Sequence, residues 1–183
     1  MKLNFQRQAG ATLIEIIMVV ALIAIITVGA LVYFNSAQDA SNVSEAVSGL
    51  TAMSSVVRNQ YSTQGDYSGI SQDVVMRFGN VPENMLVRTG GASSGAPTHL
   101  KHPWNNANGA VAIGVDTINI ANDAFKITLT KVPAKLCTDL VTKTYRHFQK
   151  VVVGSTTVTN VSTATTACGI GNTTTADISF TQR

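Results

Sequence analysis

The sequence predicts an α+β fold: one long N-terminal helix, its apolar half protruding and its amphipathic half packed on an antiparallel β-sheet head. Three observations carry that prediction. Residues 16–34 are apolar apart from Thr27 and Gly29. Beyond them apolar residues recur at Ala40, Val43, Ala46, Val47, Leu50, Met53, Val57 and Tyr61, the three-and-four spacing of one helical face. From Ala110 the apolar period then shifts toward two, as in half-buried strands.

No proline precedes Pro82, so a single helix from about residue 13 to 61 is expected, roughly 70 Å long at about 1.5 Å per residue. Its apolar part is long enough to cross roughly 30 Å of hydrocarbon. A signal peptide is the competing reading, with Lys2 and Arg7 as its basic region and Asn35, Ser36 and Ala37 as a loose cleavage site. An h-region is usually shorter, however, and seldom opens with an acid. Lys2 and Arg7 precede the span, which places the N-terminus in the cytoplasm and the bulk of the chain outside. Glu15 lies inside this segment. A lone charge at a bilayer centre costs about 2.5 to 3.5 kcal/mol on the most lenient scale, so Glu15 either finds a partner or snorkels at a membrane edge.

After the helix, residues 63–108 read as a long connection. The stretch GGASSGAP at 90–97 is a flexible loop by composition and lacks the Gly-Lys-Ser ending of a phosphate loop. His99 and His102, beside Trp104, invite a metal reading, but two histidines without a third ligand also fit ordinary loop packing. Residues 110–115, 117–122 and 124–132 read as three antiparallel strands, with Asn122 and Asp123 as turn material. Helical spacing returns over 133–148, with Pro133 suited to its start. KVVVG, TTVTNVS and ADISFTQ supply further strands, which puts Cys137 on the short helix and Cys168 in the loop before the last strand.

Composition narrows the function. Only 13% of the 183 residues are charged, while Ser, Thr, Asn and Gly abound, a profile nearer an extracellular β-rich surface protein than a cytosolic enzyme. The net charge is +3 and its cations are scattered, so no specific nucleic-acid binding is expected. No Gly-x-Ser-x-Gly elbow or spaced carboxylate pair appears; no enzyme, catalytic residue, cofactor or metal is expected. The two cysteines, Cys137 and Cys168, read as a disulfide formed in an oxidising compartment, with two buried thiols as the alternative.

The string Gln8-Ala9-Gly10-Ala11-Thr12-Leu13-Ile14-Glu15, followed by the apolar helix and a C-terminal cysteine pair, resembles the processing site of a type IV pilin. The resemblance implies a cleaved leader over 1–10, of the short class III type, and a helix over 11–62 with 11–35 as transmembrane segment and filament core. It implies a head over 63–183 with an αβ-loop, an antiparallel sheet and a disulfide-closed C-terminal region. Prepilin peptidase would cut between Gly10 and Ala11 and methylate the new amine. In a filament that amine of Ala11 would pair with Glu15 of a neighbour. Removing one partner of a buried pair typically costs roughly 3 to 5 kcal/mol.

Ala11 in place of the usual Phe and the lack of a helix proline favour a IVb-like subclass, although many IVb leaders are longer. Gly29 and Gly49, each costing about 1 kcal/mol relative to Ala, mark either flexible points or close helix packing. The implied function is that of a major pilin, a homo-polymer built by pilus assembly machinery in the inner membrane. It would reside there as precursor, then in an extracellular pilus of a Gram-negative bacterium, serving adhesion, aggregation or conjugative mating contact. The alternatives are a type II secretion pseudopilin and a membrane-anchored surface binding module that never polymerises.

Overall fold

A computed structural model describes residues 12–91, 95–169 and 174–183. The helix α1 runs over Leu13–Tyr61, the bounds that its apolar pattern and the missing proline predict. The chain divides into two compact units, and the boundary falls after Ala40, inside α1. Among the described residues of the first unit none is buried. In the second unit α1 buries Val43, Ala46, Gly49, Leu50, Met53, Ser54, Val57 and Tyr61, the expected stripe, except that Ala40 stays exposed and Val47 is half-buried.

The head is built on a five-stranded sheet. Its strands are β3 (Val111–Asp116), β4 (Ala124–Pro133), β5 (Lys150–Val153), β6 (Thr156–Val158) and β7 (Thr175–Gln182). Their order is β3-β4-β7-β5-β6, and every pair is antiparallel. The last strand in sequence order therefore lies in the middle. Ile178 and Phe180 of β7 are fully buried among Phe125, Ile127, Leu129 and the α1 stripe, and Phe148 packs its ring 5.1 Å from that of Phe180. At the bulge in β4 the backbone of Lys131 turns left-handed (φ 59°), and its freed amide donates to Asp177 Oδ1 of β7 at 2.9 Å.

Two helices flank the later strands. α3 occupies Ala134–Thr144 after Pro133, as expected, although it stops short of Phe148. α4 occupies Val161–Gly169, where the sequence reads as strand and loop. Asn160 starts it: its side-chain Oδ1 accepts from Thr163 N at 2.8 Å, while Thr163 Oγ1 accepts from the amides of Thr159 and Asn160, each at 3.0 Å. Thr165 and Thr166 turn their hydroxyls back onto the carbonyls of Val161 and Ser162, so these β-branched residues are satisfied inside a helix.

Residues 117–122 are likewise a loop rather than the expected strand. Asp123 accepts the amides of Ile118 (2.8 Å) and Asn119 (3.1 Å), and Asn122 adopts φ 62°, so side-chain capping displaces ladder pairing. These backbone bonds to Ile118 and Asn119, with Arg183 nearby, hold the Asp123 carboxyl below its ordinary range. The stretch 63–108 is also more ordered than a plain connection. It contains α2 (Gln72–Met76), capped by the Ser71 hydroxyl, and a two-stranded antiparallel sheet of β1 (Leu86–Arg88) and β2 (Pro97–Leu100). Arg88 closes that sheet by donating to Glu83 Oε1 (2.6 Å) and Gly95 O (2.8 Å). The middle of the predicted flexible loop, 92–94, lies outside the described residues.

Gly49 resolves as a packing residue. A Cβ there would lie 2.5 Å from Met85 Sδ, whereas one at Gly29 would meet nothing within 4 Å. Met85 is itself buried, so little room exists for it to retreat. Gly49→Leu should lower head stability by about 1 to 3 kcal/mol through overpacking, measured by chemical unfolding. Combined with Met85→Ala, the loss should fall below the sum of the single losses by at least about 0.5 kcal/mol. Strict additivity would show that the two sites do not meet.

Candidate assembly surface

The first turn of α1 positions Glu15. Thr12 precedes the helix, its carbonyl accepting the amides of Glu15 (3.0 Å) and Ile16 (3.2 Å), and its hydroxyl lies 3.4 Å from Glu15 N. Thr12-x-x-Glu15 is thus the spacing of a capping box, a local signal in the sequence that the processing resemblance overshadows. A carboxylate in the first turn is also favoured by the helix dipole, by roughly 0.3 to 1 kcal/mol. Glu15 consequently has a helix-starting role that needs no other subunit. Gly10 and Ala11, the expected processing residues, lie outside the described residues.

From here α1 presents apolar side chains on every face. Leu13, Ile17, Leu22, Ile25, Ile26, Leu31, Tyr33 and Phe34 are all exposed, Ile25 by 71%. Thr27, the one Ser or Thr between Leu13 and Phe34, donates to Ile23 O at 2.7 Å and so is satisfied within the helix. By length and composition α1 is able to cross a membrane. An apolar surface this continuous requires either lipid or further protein to cover it.

In the head the two cysteines are joined. Cys137 of α3 and Cys168 of α4 form a disulfide with Cα atoms 5.6 Å apart, both residues buried. The bond therefore links helix to helix, not helix to loop as the sequence reads. His99 and His102 come to separate uses in the β2 region. His102 is buried (3% exposed); its Nε2 lies 2.9 Å from Thr130 O and its Nδ1 receives the amide of Trp104 at 3.4 Å. His99 sets Nε2 2.7 Å from Asn106 O and Nδ1 3.1 Å from the Thr98 hydroxyl. Both nitrogens of each ring are thus engaged by the protein, the pattern of loop packing. Burial lowers the His102 pKa, an effect opposed in part by its bond to Thr130 O.

The long helix, the antiparallel sheet with its last strand in the middle, and the helix-linking disulfide define a type IV pilin fold. Two solved structures share it. TcpA, a type IV pilin from Vibrio cholerae El Tor biotype, superposes with a TM-score of 0.56 at 16% identity, covering 78% of this chain and 99% of that one. A type IVb pilin from Salmonella typhi gives 0.50 at 20% identity, covering 73% and 96%. The chain belongs to the PilS N terminal family, whose model matches residues 40–183. In sequence it is similar to the major structural subunit of bundle-forming pilus from Escherichia coli O127:H6 and from E. coli O111:H-. Each is 28% identical over 140 residues, 76% of this chain and 67% of the relative.

Two expectations follow for the head. The disulfide closes a loop with a sequence separation of 31, which by the chain-entropy argument stabilises by roughly 3 to 4 kcal/mol. Cys137→Ser should lower the unfolding free energy by about that amount, and an unchanged denaturation midpoint would remove the disulfide from the head's stability. His102 favours its neutral form when folded, so below about pH 6.5 the unfolded chain takes up a proton that the fold refuses. Stability should therefore be level above that pH and decline as pH falls from it toward the lowered folded value. In His102→Gln the slope over this window should flatten; parallel Tm profiles for the two chains would rule out His102 as its source.

Proposed function

We propose that this chain is the major structural subunit of a IVb-like type IV pilus. It would be anchored in the inner membrane of a Gram-negative bacterium as precursor and polymerise through the apolar half of α1 into an extracellular fibre for adhesion, aggregation or mating contact. The observation that carries the reading is the pairing of a PilS-family head with a helix whose apolar residues are exposed on all faces and whose only acid before Asp39 is Glu15. The relatives that are major subunits of bundle-forming pilus support a filament of many copies.

In this reading prepilin peptidase cuts between Gly10 and Ala11 and the new amine is methylated. Cleavage removes Lys2 and Arg7 and creates one cation beside Thr12. When subunits pack in a low-dielectric filament core, the carboxylate of Glu15 meets the Ala11 amine of a neighbour, and each charge offsets the other's desolvation. An unpaired Glu15 in that core would oppose assembly, which makes the pair a register mark.

The cap and the pair make different demands, so one substitution separates them. Glu15→Gln keeps a side chain fit for the capping box but removes the charge. Sheared surface material from the unaltered chain should contain a mass that begins at a methylated Ala11, and cells lacking the peptidase should shed none. Glu15→Gln should be processed normally yet be reduced at least tenfold in the sheared fraction. Full filament yield from Glu15→Gln would leave the carboxylate as a helix cap alone, and an unprocessed N-terminus in sheared material would overturn the processing step.

A further inference from the structure

The aromatic residues of α1 are unevenly placed. Its 49 residues hold three, Tyr33, Phe34 and Tyr61, and only Tyr61 belongs to the head core. The apolar run uses Leu, Ile, Val, Ala and Met through its length and admits rings only in its last two positions. Tyr33 and Phe34 are 72% and 68% exposed, with ring centroids 6.4 Å apart and nearly perpendicular planes, so they form a paired aromatic step on the outside of the helix. Polar residues begin at once beyond it with Asn35 and Ser36.

The distance back to Glu15 gives this step a meaning. Tyr33 lies eighteen positions beyond Glu15, about 27 Å at a rise of about 1.5 Å per residue. That is close to the roughly 30 Å thickness of bilayer hydrocarbon. Aromatic rings with an apolar body and a polar edge gather at the headgroup level, where a phenol keeps its hydroxyl in water. A helix held by Tyr33 and Phe34 at one interface would therefore put Glu15 at the other, where its carboxylate reaches water instead of lying in hydrocarbon. The self-satisfied Thr27 hydroxyl, inside the span, suits the same placement.

We infer that Tyr33 and Phe34 form a lipid-headgroup anchor that fixes the depth of the unassembled subunit, with Glu15 held at the opposite membrane face. This deepens the proposed function, because it rests on the membrane-anchored precursor and names the lipid interface as the partner of these two rings. Before assembly Glu15 is hydrated; on entering a filament it exchanges water for the neighbour's amine.

Depth is measurable without any assembly step. The full chain carrying Tyr33→Trp is placed in vesicles of phosphatidylethanolamine and phosphatidylglycerol brominated at a shallow or a deep acyl position, and the unaltered chain, whose single tryptophan is Trp104, supplies the baseline. The added fluorescence should be quenched at least twofold more by shallow than by deep bromines. A second chain carries Ala37→Cys, which N-ethylmaleimide should alkylate readily in such vesicles while the disulfide-bonded cysteines do not react. Adding Tyr33→Leu and Phe34→Leu keeps the segment apolar but should slow that alkylation several-fold as the helix slides inward. Stronger quenching by deep bromines, or alkylation indifferent to loss of the rings, would overturn the anchor while leaving the membrane-bound precursor intact. A chain that does not enter vesicles at all would overturn both.

Discussion

The head depends on the central position of β7. The β3–β4 hairpin and the β5–β6 hairpin share no backbone pairing with each other; each becomes part of one sheet only by bonding to opposite sides of β7. A lone two-stranded hairpin is marginal in water, so neither half gains its full stability until the strand is in place. Burial of Ile178 and Phe180 fixes its register, since a slip by one residue would turn both outward. Each fully buried side chain of this kind contributes about 1.5 to 3 kcal/mol. The disulfide supports the same arrangement, because it joins the helix that follows β4 to the helix that leads into β7. Around this strand, the α1 stripe and the Phe148 ring complete one continuous core.

Helix α1 meets two kinds of surroundings with one backbone. Over its later turns a single stripe is buried and the opposite face carries Ser, Thr, Asn and charged side chains, the ordinary bargain of a surface helix. Over its earlier turns there is no polar face, and its helical hydrogen bonds alone satisfy the backbone, the condition required of any segment covered by lipid or by packed helices. The change between the two regimes requires no proline, glycine turn or break in the helix; side-chain chemistry alone makes it. Glu15 is the exception within the apolar regime, and its place in the first turn is one that the helix dipole favours for an acid.

The parts of the fold that were legible in the sequence were those with one dominant period. The bounds of α1 followed from apolar spacing and the absence of proline, and β4 and β7 from alternation over seven or more residues. What was misread lay where short-range polar chemistry overrides pattern. Residues 117–122 alternate like a strand, but the Asp123 carboxylate captures two of their amides. Residues 161–169 have poor helix propensity, yet Asn160 caps them and burial of Ala164 and Cys168 holds the helix against the head. The α2 turn and the small β1–β2 sheet are fastened by side chains, Ser71 and Arg88 among them, whose partners no period reveals. Of the candidate site, Glu15 and the cysteine pair stood out as oddities in composition. Thr12 did not, because its role is a hydrogen bond rather than a charge.

The 117–123 loop has a practical consequence. Ile120 at its tip is 70% exposed, while the backbone on either side is pinned by Asp123 and by the bond from Tyr67 N to Asn122 O. The Ile120 backbone shares in this pinning, its carbonyl accepting from Asp123 N at 3.1 Å, while its side chain stands in solvent, and exposed loop tips are where inserted sequence is best tolerated. A short peptide grafted there would sit on a rigid base at one copy per head. In a polymer of such heads it would become a dense, multivalent array, whose avidity for a receptor arises from spacing alone and not from any gain in single-site affinity.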